Sequence, residues 1–323
     1  MIFYAGIDDG NFDIKSSDTS TPDGYTVHKK LPPLTKEYLF YDGQYYIPDK
    51  NRFDYLEDKT STDRCLILTL FGIAKQMLFV VGKKNVSSIQ DEISNYDELV
   101  LGCGLPPLQW NLKDKKLKYY NKHLKKGISF IYNGYDFSFK MIYCKCFPQA
   151  AAVMMVNAKH EICKYSRFNA IDIGGGTLEM VPFDENGPDV PNCINEEVGV
   201  NFMHQHIVTS AKRDFNIKIS PVDVESILRG EFTVFDKNPE FKTYINEQAT
   251  KWANEQIINR LIQGGCNFDS VPSIFFGGGS LLLKKAIKKN PLVKNCHFLP
   301  NGVNANAKAY EILVKKYYLK SLE

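Results

Sequence analysis

The sequence predicts an α/β protein built from two related halves, and three observations carry that prediction. At residues 3–15 an apolar strand ends in Asp8, a small turn follows, and an alternating strand returns through Lys15. The same unit recurs at 171–183, where Asp172 precedes Gly174-Gly175-Gly176-Thr177. The two aspartates lie 164 positions apart in a chain of 323 residues, close to half its length. A third glycine run, Gly277-Gly278-Gly279-Ser280, follows an apolar strand too, but its sequel is helical. The period-two alternation after Thr177 separates the second run from the P-loop and the dinucleotide-binding fingerprint, both of which open a helix.

Composition sets the bounds. The hydrophobic fraction of 44% and charged fraction of 24% are those of an ordinary globular protein. A net charge of +3 neither demands nor excludes a nucleic-acid partner. The eight cysteines lie scattered in apolar stretches and form no pair of CxxC elements, so reduced thiols and a cytosolic setting are expected. No basic segment precedes a long apolar run at the N-terminus, and no stretch is expected to reach membrane-spanning length. The chain is therefore expected in the cytoplasm, away from membranes.

In chain order, Lys15 on the first returning strand is either a phosphate ligand or a solvated edge charge. Residues 24–56, rich in Tyr, Pro, Asp and Lys, read as short strands and loops with a hairpin at Asp42-Gly43, a small subdomain inserted into the first half. A helix is expected to start at a cap among 60–62, to bury Leu66, Leu70, Ile73, Ala74, Met77 and Leu78, and to stop by Gly82. Residues 99–105 read as a buried strand ended by Pro106-Pro107. The lysine-dense stretch 113–126, interleaved with Tyr119, Tyr120 and His123, is a solvated surface or a nucleic-acid patch. The weak net charge favours the surface, and no direct nucleic-acid binding is expected. A hairpin through Asn133-Gly134 follows. Phe147-Pro148-Gln149-Ala150 is expected to open a helix with Gln149 in its first turn. Further helices are expected over 200–215, 220–230 and 239–263, the last with Trp252 and Ile262 on its apolar side. His204 and His206, two apart, share no helix face, so no metal is expected there. Ser280 is expected to cap a helix over 281–289, and a terminal helix to begin at 304–310.

Glycine adopts positive φ without a Cβ penalty, so a glycine turn can converge its N–H groups on one point. Such a concavity cradles phosphate, and an aspartate at its lip can hold a hydrated divalent metal against the same phosphates. Taken singly, each run is equally a tight hairpin.

Five stations in order resemble the actin and sugar-kinase superfamily: residues 7–15, Pro148-Gln149-Ala150, Asp172-Ile173-Gly174-Gly175-Gly176-Thr177, Gly277-Gly278-Gly279-Ser280, and Ala305-Asn306-Ala307-Lys308-Ala309-Tyr310. Within it the chain is similar to bacterial plasmid-segregation actins of the ParM type, on Asp8-Asp9-Gly10 with Lys15 five positions after the Gly, on Gly104-Leu105-Pro106, and on the Ala-Asn-Ala connector. Ala309 stands where many relatives have glycine, and Gln149 where some plasmid actins have glutamate. The resemblance implies an α/β fold of two ribonuclease-H-like (actin-fold) domains around a nucleotide cleft, each with a small inserted subdomain. The first domain would span 1–164, with its insertion at about 24–80 and the helix 306–323 packing back on it; the second would span 165–305, with its insertion at about 198–265. It implies ATP (or GTP) and Mg²⁺ as cofactors, with Asp8 and Asp172 holding the metal through water. Asp9, Gly10, Asn11 and Lys15 would cradle phosphate from one side and Gly174, Gly175, Gly176 and Thr177 from the other. Gln149 would orient the attacking water for slow hydrolysis, and Gly277, Gly278, Gly279 and Ser280 would border base and ribose. The partners implied are the protein itself, in a head-to-tail filament, and a DNA-binding adaptor at a plasmid centromere-like site. A sugar-type kinase of the same fold and a non-polymerising cell-division scaffold are the alternatives.

Overall fold

The structure, a computed structural model, describes every residue except Asn11, Tyr55 and Glu57. The chain divides into two compact units, Met1–Asn157 with Asn304–Glu323, and Ala158–Val303.

In the first unit the chain runs through β1 (Ile2–Asp9), β2 (Asp13–Lys15), β3 (Ser20–Pro22), β4 (Tyr25–His28), β5 (Leu39–Tyr41), β6 (Gln44–Pro48), α1 (Arg64–Gly82), α2 (Ile89–Ser94), β7 (Glu98–Leu105), α3 (Lys113–Leu124), β8 (Ile128–Tyr132), β9 (Tyr135–Pro148) and α4 (Ala151–Val156). The second unit holds β10 (Phe168–Ile173), β11 (Leu178–Asp184), β12 (Gly187–Pro188), β13 (Ile194–Glu196), α5 (Val200–Phe215), α6 (Pro221–Arg229), α7 (Pro239–Trp252), α8 (Asn259–Gln263), β14 (Ser273–Phe276), α9 (Gly278–Leu282), α10 (Lys284–Lys289) and β15 (Cys296–Phe298). The final helix, α11 (Ala305–Lys320), belongs to the first unit.

The two sheets follow one plan. In the first, the order β3-β2-β1-β7-β9 puts β1 at the centre, with β2 antiparallel on one side and β7 and β9 parallel on the other. In the second, β10 takes the place of β1, β11 pairs antiparallel with it, and β14 and β15 follow in parallel. The first sheet continues from β9 through β8 into β5, β6 and β4, so the Tyr-rich strands extend that sheet.

The central strands are buried on both faces, as parallel strands between helices must be. On one face of β1 lies α1, which is 19 residues long and apolar enough to cross a membrane, contrary to the expectation that no stretch would be. Its residues from Cys65 to Met77 are nonetheless almost all inside the core of the unit, and a helix apolar nearly all round is what two-sided burial demands. A 3₁₀ turn at Lys59–Ser61 precedes it, so α1 starts at Arg64, slightly later than expected. On the other face α11 approaches the backbone closely. A Cβ on Gly6 would lie 1.9 Å from the Ala307 carbonyl oxygen, and one on Gly102 would lie 2.5 Å from that of Tyr310. Ala307 on the helix meets Gly6, and Gly102 lies against the Tyr310 backbone.

Two local expectations are corrected. Gln149 is not in a helix: β9 runs through Pro148, and the Gln149 amide donates to the Leu105 carbonyl (2.9 Å), carrying the ladder to β7 one residue further. Ala150 then turns the chain at φ 56° before α4 begins. Ser280 is not a cap either, because Gly277, at φ 85°, occupies that place and the helix breaks at Leu283. The span 239–263 is one helical run as expected, with a π-turn at Ala253–Ile258; Trp252 is half-buried, and Ile262 is 38% exposed instead of packed inward.

Candidate phosphate-binding hairpins in each unit

In the first unit β1 and β2 form the hairpin that the aspartate motif predicted, with Asp8 opposite Lys15 and Asp9 opposite Ile14. Side chains alternate along a strand, so the two neighbouring carboxylates leave on opposite faces. Asp8 lies on the face of α11, only 7% exposed, and accepts a hydrogen bond from Gln149 Nε2 (2.9 Å). A carboxylate accepts only from the amide nitrogen, and this fixes the orientation of the Gln149 amide. Its Oε1 is buried and meets no donor among the described residues. The Ala150 N–H is held by Asn306 Oδ1 (3.0 Å), which ties this turn to the start of α11.

Asp9 points the other way. Lys116 Nζ donates to its Oδ1 and to the Gly104 carbonyl, both at 2.6 Å. Lys116, from the lysine-dense stretch read as solvated, is buried, and its side chain is 4% exposed. The Asp9 carboxylate is thus engaged in the interior. Lys59, which no sequence pattern singled out, donates to the carbonyls of Asp9 (2.5 Å) and Gly10 (2.7 Å). Asn11, expected in the cradle, lies outside the described residues.

Burial pushes the Asp8 carboxyl above its ordinary value, and Asp9 adds to this, while Lys15 and the Gln149 hydrogen bond oppose it. Burial acts on Asp9 too, but Lys116 and Lys59 outweigh it and hold that carboxyl below its ordinary value. A carboxyl raised in the fold costs stability in full above its folded value, less as pH falls below that, and nothing once pH is below the unfolded value. Asp8→Asn, which still accepts from Gln149, is therefore expected to raise the stability of the nucleotide-free protein at neutral pH by roughly 0.5–2 kcal/mol. The gain should shrink as pH falls; melting curves of both proteins at neutral and acid pH check this.

In the second unit β10 and β11 pair from Ile173↔Leu178 outward, closing the turn at 174–177. The start of α5 shapes that turn: the N–H groups of Gly199, Val200 and Asn201 donate to the carbonyls of Gly176 (3.1 Å), Gly174 (3.2 Å) and Gly175 (2.9 Å). A Cβ on Gly199 would sit 2.2 Å from the Gly175 carbonyl oxygen. With these carbonyls turned to the helix, the N–H groups of Gly175 and Gly176 meet no acceptor among the described residues. They form the half-exposed donor pair that an anion needs.

Asp172 is the penultimate residue of β10, and Glu179 stands directly opposite it on β11, so both carboxylates share one face. Glu179, 3% exposed, was not singled out in the sequence; its position two residues past Thr177 on an alternating strand was the available signal. Gly277 is required here, since a Cβ on it would meet Asp172 Oδ1 at 2.1 Å. Gly278 is half-exposed with open space where its Cβ would stand, whereas Gly277, Gly279 and Ser280 are buried and the Ser280 hydroxyl has no partner among the described residues. Of that run, Gly278 is the residue a flat ligand can approach.

Among the described residues no cluster of three or more His, Cys, Asp or Glu forms a metal cage. Mg²⁺ keeps several waters and is usually held by one or two carboxylates plus substrate phosphates. Asp8 in the first unit and the Asp172–Glu179 pair in the second are each carboxylates of that kind.

No protein-family model matches the sequence, and no curated protein matches it. Solved structures do. An archaeal actin homologue in complex with ADP superposes with a TM-score of 0.71 at 17% identity, covering 98% of this chain and 99% of that one. The actin-like protein Alp7A gives 0.72 at 13% identity, with 100% and 98% covered. ParM of Bacillus thuringiensis with ATP gives 0.64 at 11%, with 98% and 99% covered. At these identities the likeness establishes the fold: the chain has the actin fold from end to end.

Proposed function

We infer that the chain is a Mg²⁺-dependent nucleoside triphosphatase, taking ATP or GTP, that assembles head-to-tail into filaments in a nucleotide-controlled way. The observation that carries this is Gln149. Its amide nitrogen is committed to Asp8, and its buried carbonyl oxygen has no donor among the described residues, so it is poised to accept from a water. A neutral amide aligns a water and removes no proton, which supports slow turnover. In this reading Asp8 and Asp172 hold Mg²⁺ through water, with Glu179 beside Asp172. Gly10, Lys15, Gly174, Gly175, Gly176 and Thr177 receive phosphate, and Gly278 borders the nucleoside. Mg²⁺ held there would supply positive charge against the negative charge spread over the phosphate oxygens.

Fold likeness to the plasmid actins and the early Asp-Asp-Gly motif support a role in moving plasmid DNA in the cytoplasm, through a DNA-binding adaptor at a centromere-like site. Phosphate release measured with ATP or GTP, with and without Mg²⁺ and with and without common sugars, tests the enzymatic part. Slow, Mg²⁺-dependent, sugar-independent release is the expected result; nucleoside diphosphate formed only with a sugar, and with no free phosphate, would make the chain a kinase.

A further inference from the structure

A buried charge cluster lies behind the first hairpin. Asp23, fully buried, receives Lys59 Nζ on Oδ2 (3.1 Å), Arg64 Nε on Oδ1 (3.0 Å) and Arg64 Nη2 on Oδ2. Arg64 also donates to the Asp54 carbonyl (2.8 Å). Lys59 is 6% exposed, and its three N–H donors are accounted for by Asp23 and the carbonyls of Asp9 and Gly10. One carboxylate thus faces two cations, leaving an excess positive charge in the interior beside the turn. The Asp9–Lys116 pair nearby cancels itself.

We propose that Lys59 is a positioning residue for nucleotide phosphate, acting through the backbone of the Asp9–Gly10 turn; this rests on the nucleotide reading above. The peptide bond is planar and trans, so its N–H points opposite to its C=O. With the Asp9 carbonyl drawn onto Lys59, the Gly10 N–H faces away from the interior. The buried ammonium also polarises that peptide, making its N–H a stronger donor to an anion. Asp23 and Arg64 anchor the ammonium, and the turn is then set before any ligand arrives, so little ordering cost falls on binding.

Calorimetric titration of wild type, Lys59→Met and Arg64→Met with Mg²⁺–ATP, Mg²⁺–ADP and adenosine tests this. Lys59→Met keeps the Asp23–Arg64 pair, and Arg64→Met keeps the contacts of Lys59 to the turn. Lys59→Met is expected to weaken ATP and ADP about tenfold or more, as loss of an outer-layer partner does, and to leave adenosine within about twofold. Arg64→Met is expected to lower the melting temperature with a smaller loss of ATP affinity. Unchanged ATP affinity in Lys59→Met, or an equal loss for adenosine, overturns the proposal while the nucleotide reading stands. Absence of ATP binding by wild type overturns both. Should Lys59→Met fail to fold, Lys59→Gln removes the charge but keeps N–H donors for the carbonyls; wild-type ATP affinity there is equally contradictory.

Discussion

Replacing Asp172 by alanine is expected to lower nucleotide turnover by roughly two to three orders of magnitude, the scale seen when one preorganised electrostatic group is lost from a charge-stabilising site. The carboxylate leaves β10 one residue before its end, stands opposite Glu179 and lies against the bare backbone of Gly277, so few other groups can take its place. The fold should survive, because Asp172 is only partly buried and the strand ladder does not depend on its side chain. Steady-state phosphate release, with circular dichroism as the check on folding, reads the effect. Turnover near the wild-type rate would remove Asp172 from the metal site.

The largest effect on stability is expected at Lys116. Lys116→Met strands Asp9 in the interior beside the weaker compensation of Lys59, and breaking a buried pair from one side costs about 3–5 kcal/mol. Asp9→Asn added to Lys116→Met should recover most of that loss, since no buried charge is then left uncompensated. The sign with pH follows from the direction of the shift. Asp9 is held below its ordinary value in the fold, so the contribution of the pair is present above the unfolded carboxylate range and is lost as pH falls through the folded value. Urea midpoints of the three proteins at neutral and acid pH should therefore converge at the acid end. A Lys116→Met protein as stable as wild type at neutral pH would show the pair to be dispensable.

Much of this architecture was legible because strand period and turn chemistry are local. The two aspartate-ended hairpins, the helix over 200–215 and the Ser220-Pro221 cap with its Gly230 stop are each written in fewer than twenty consecutive residues, and the structure has them where the pattern puts them. The lysines were not legible. Lys59 and Lys116 meet Asp9 across 50 and 107 positions, and a lysine in a charged run is ordinarily solvated. The signal for Lys116 was its register: with Tyr120 and Leu124 at fourfold spacing it forms the buried face of α3, while Lys115, Lys118 and Lys122 are exposed. Ser280 and Gln149 were misplaced for a different reason. Helix starts there depend on the sign of φ at Gly277 and Ala150, which residue identity permits but does not dictate.

Nucleotide-controlled assembly is tested most directly by right-angle light scattering and negative-stain electron microscopy across a concentration series. With Mg²⁺ and the nucleotide that wild type hydrolyses, scattering is predicted to rise above a threshold concentration and filaments to appear, and to fail with EDTA or in Asp172→Ala. A protein that hydrolyses the nucleotide yet stays monomeric at every concentration would contradict the account.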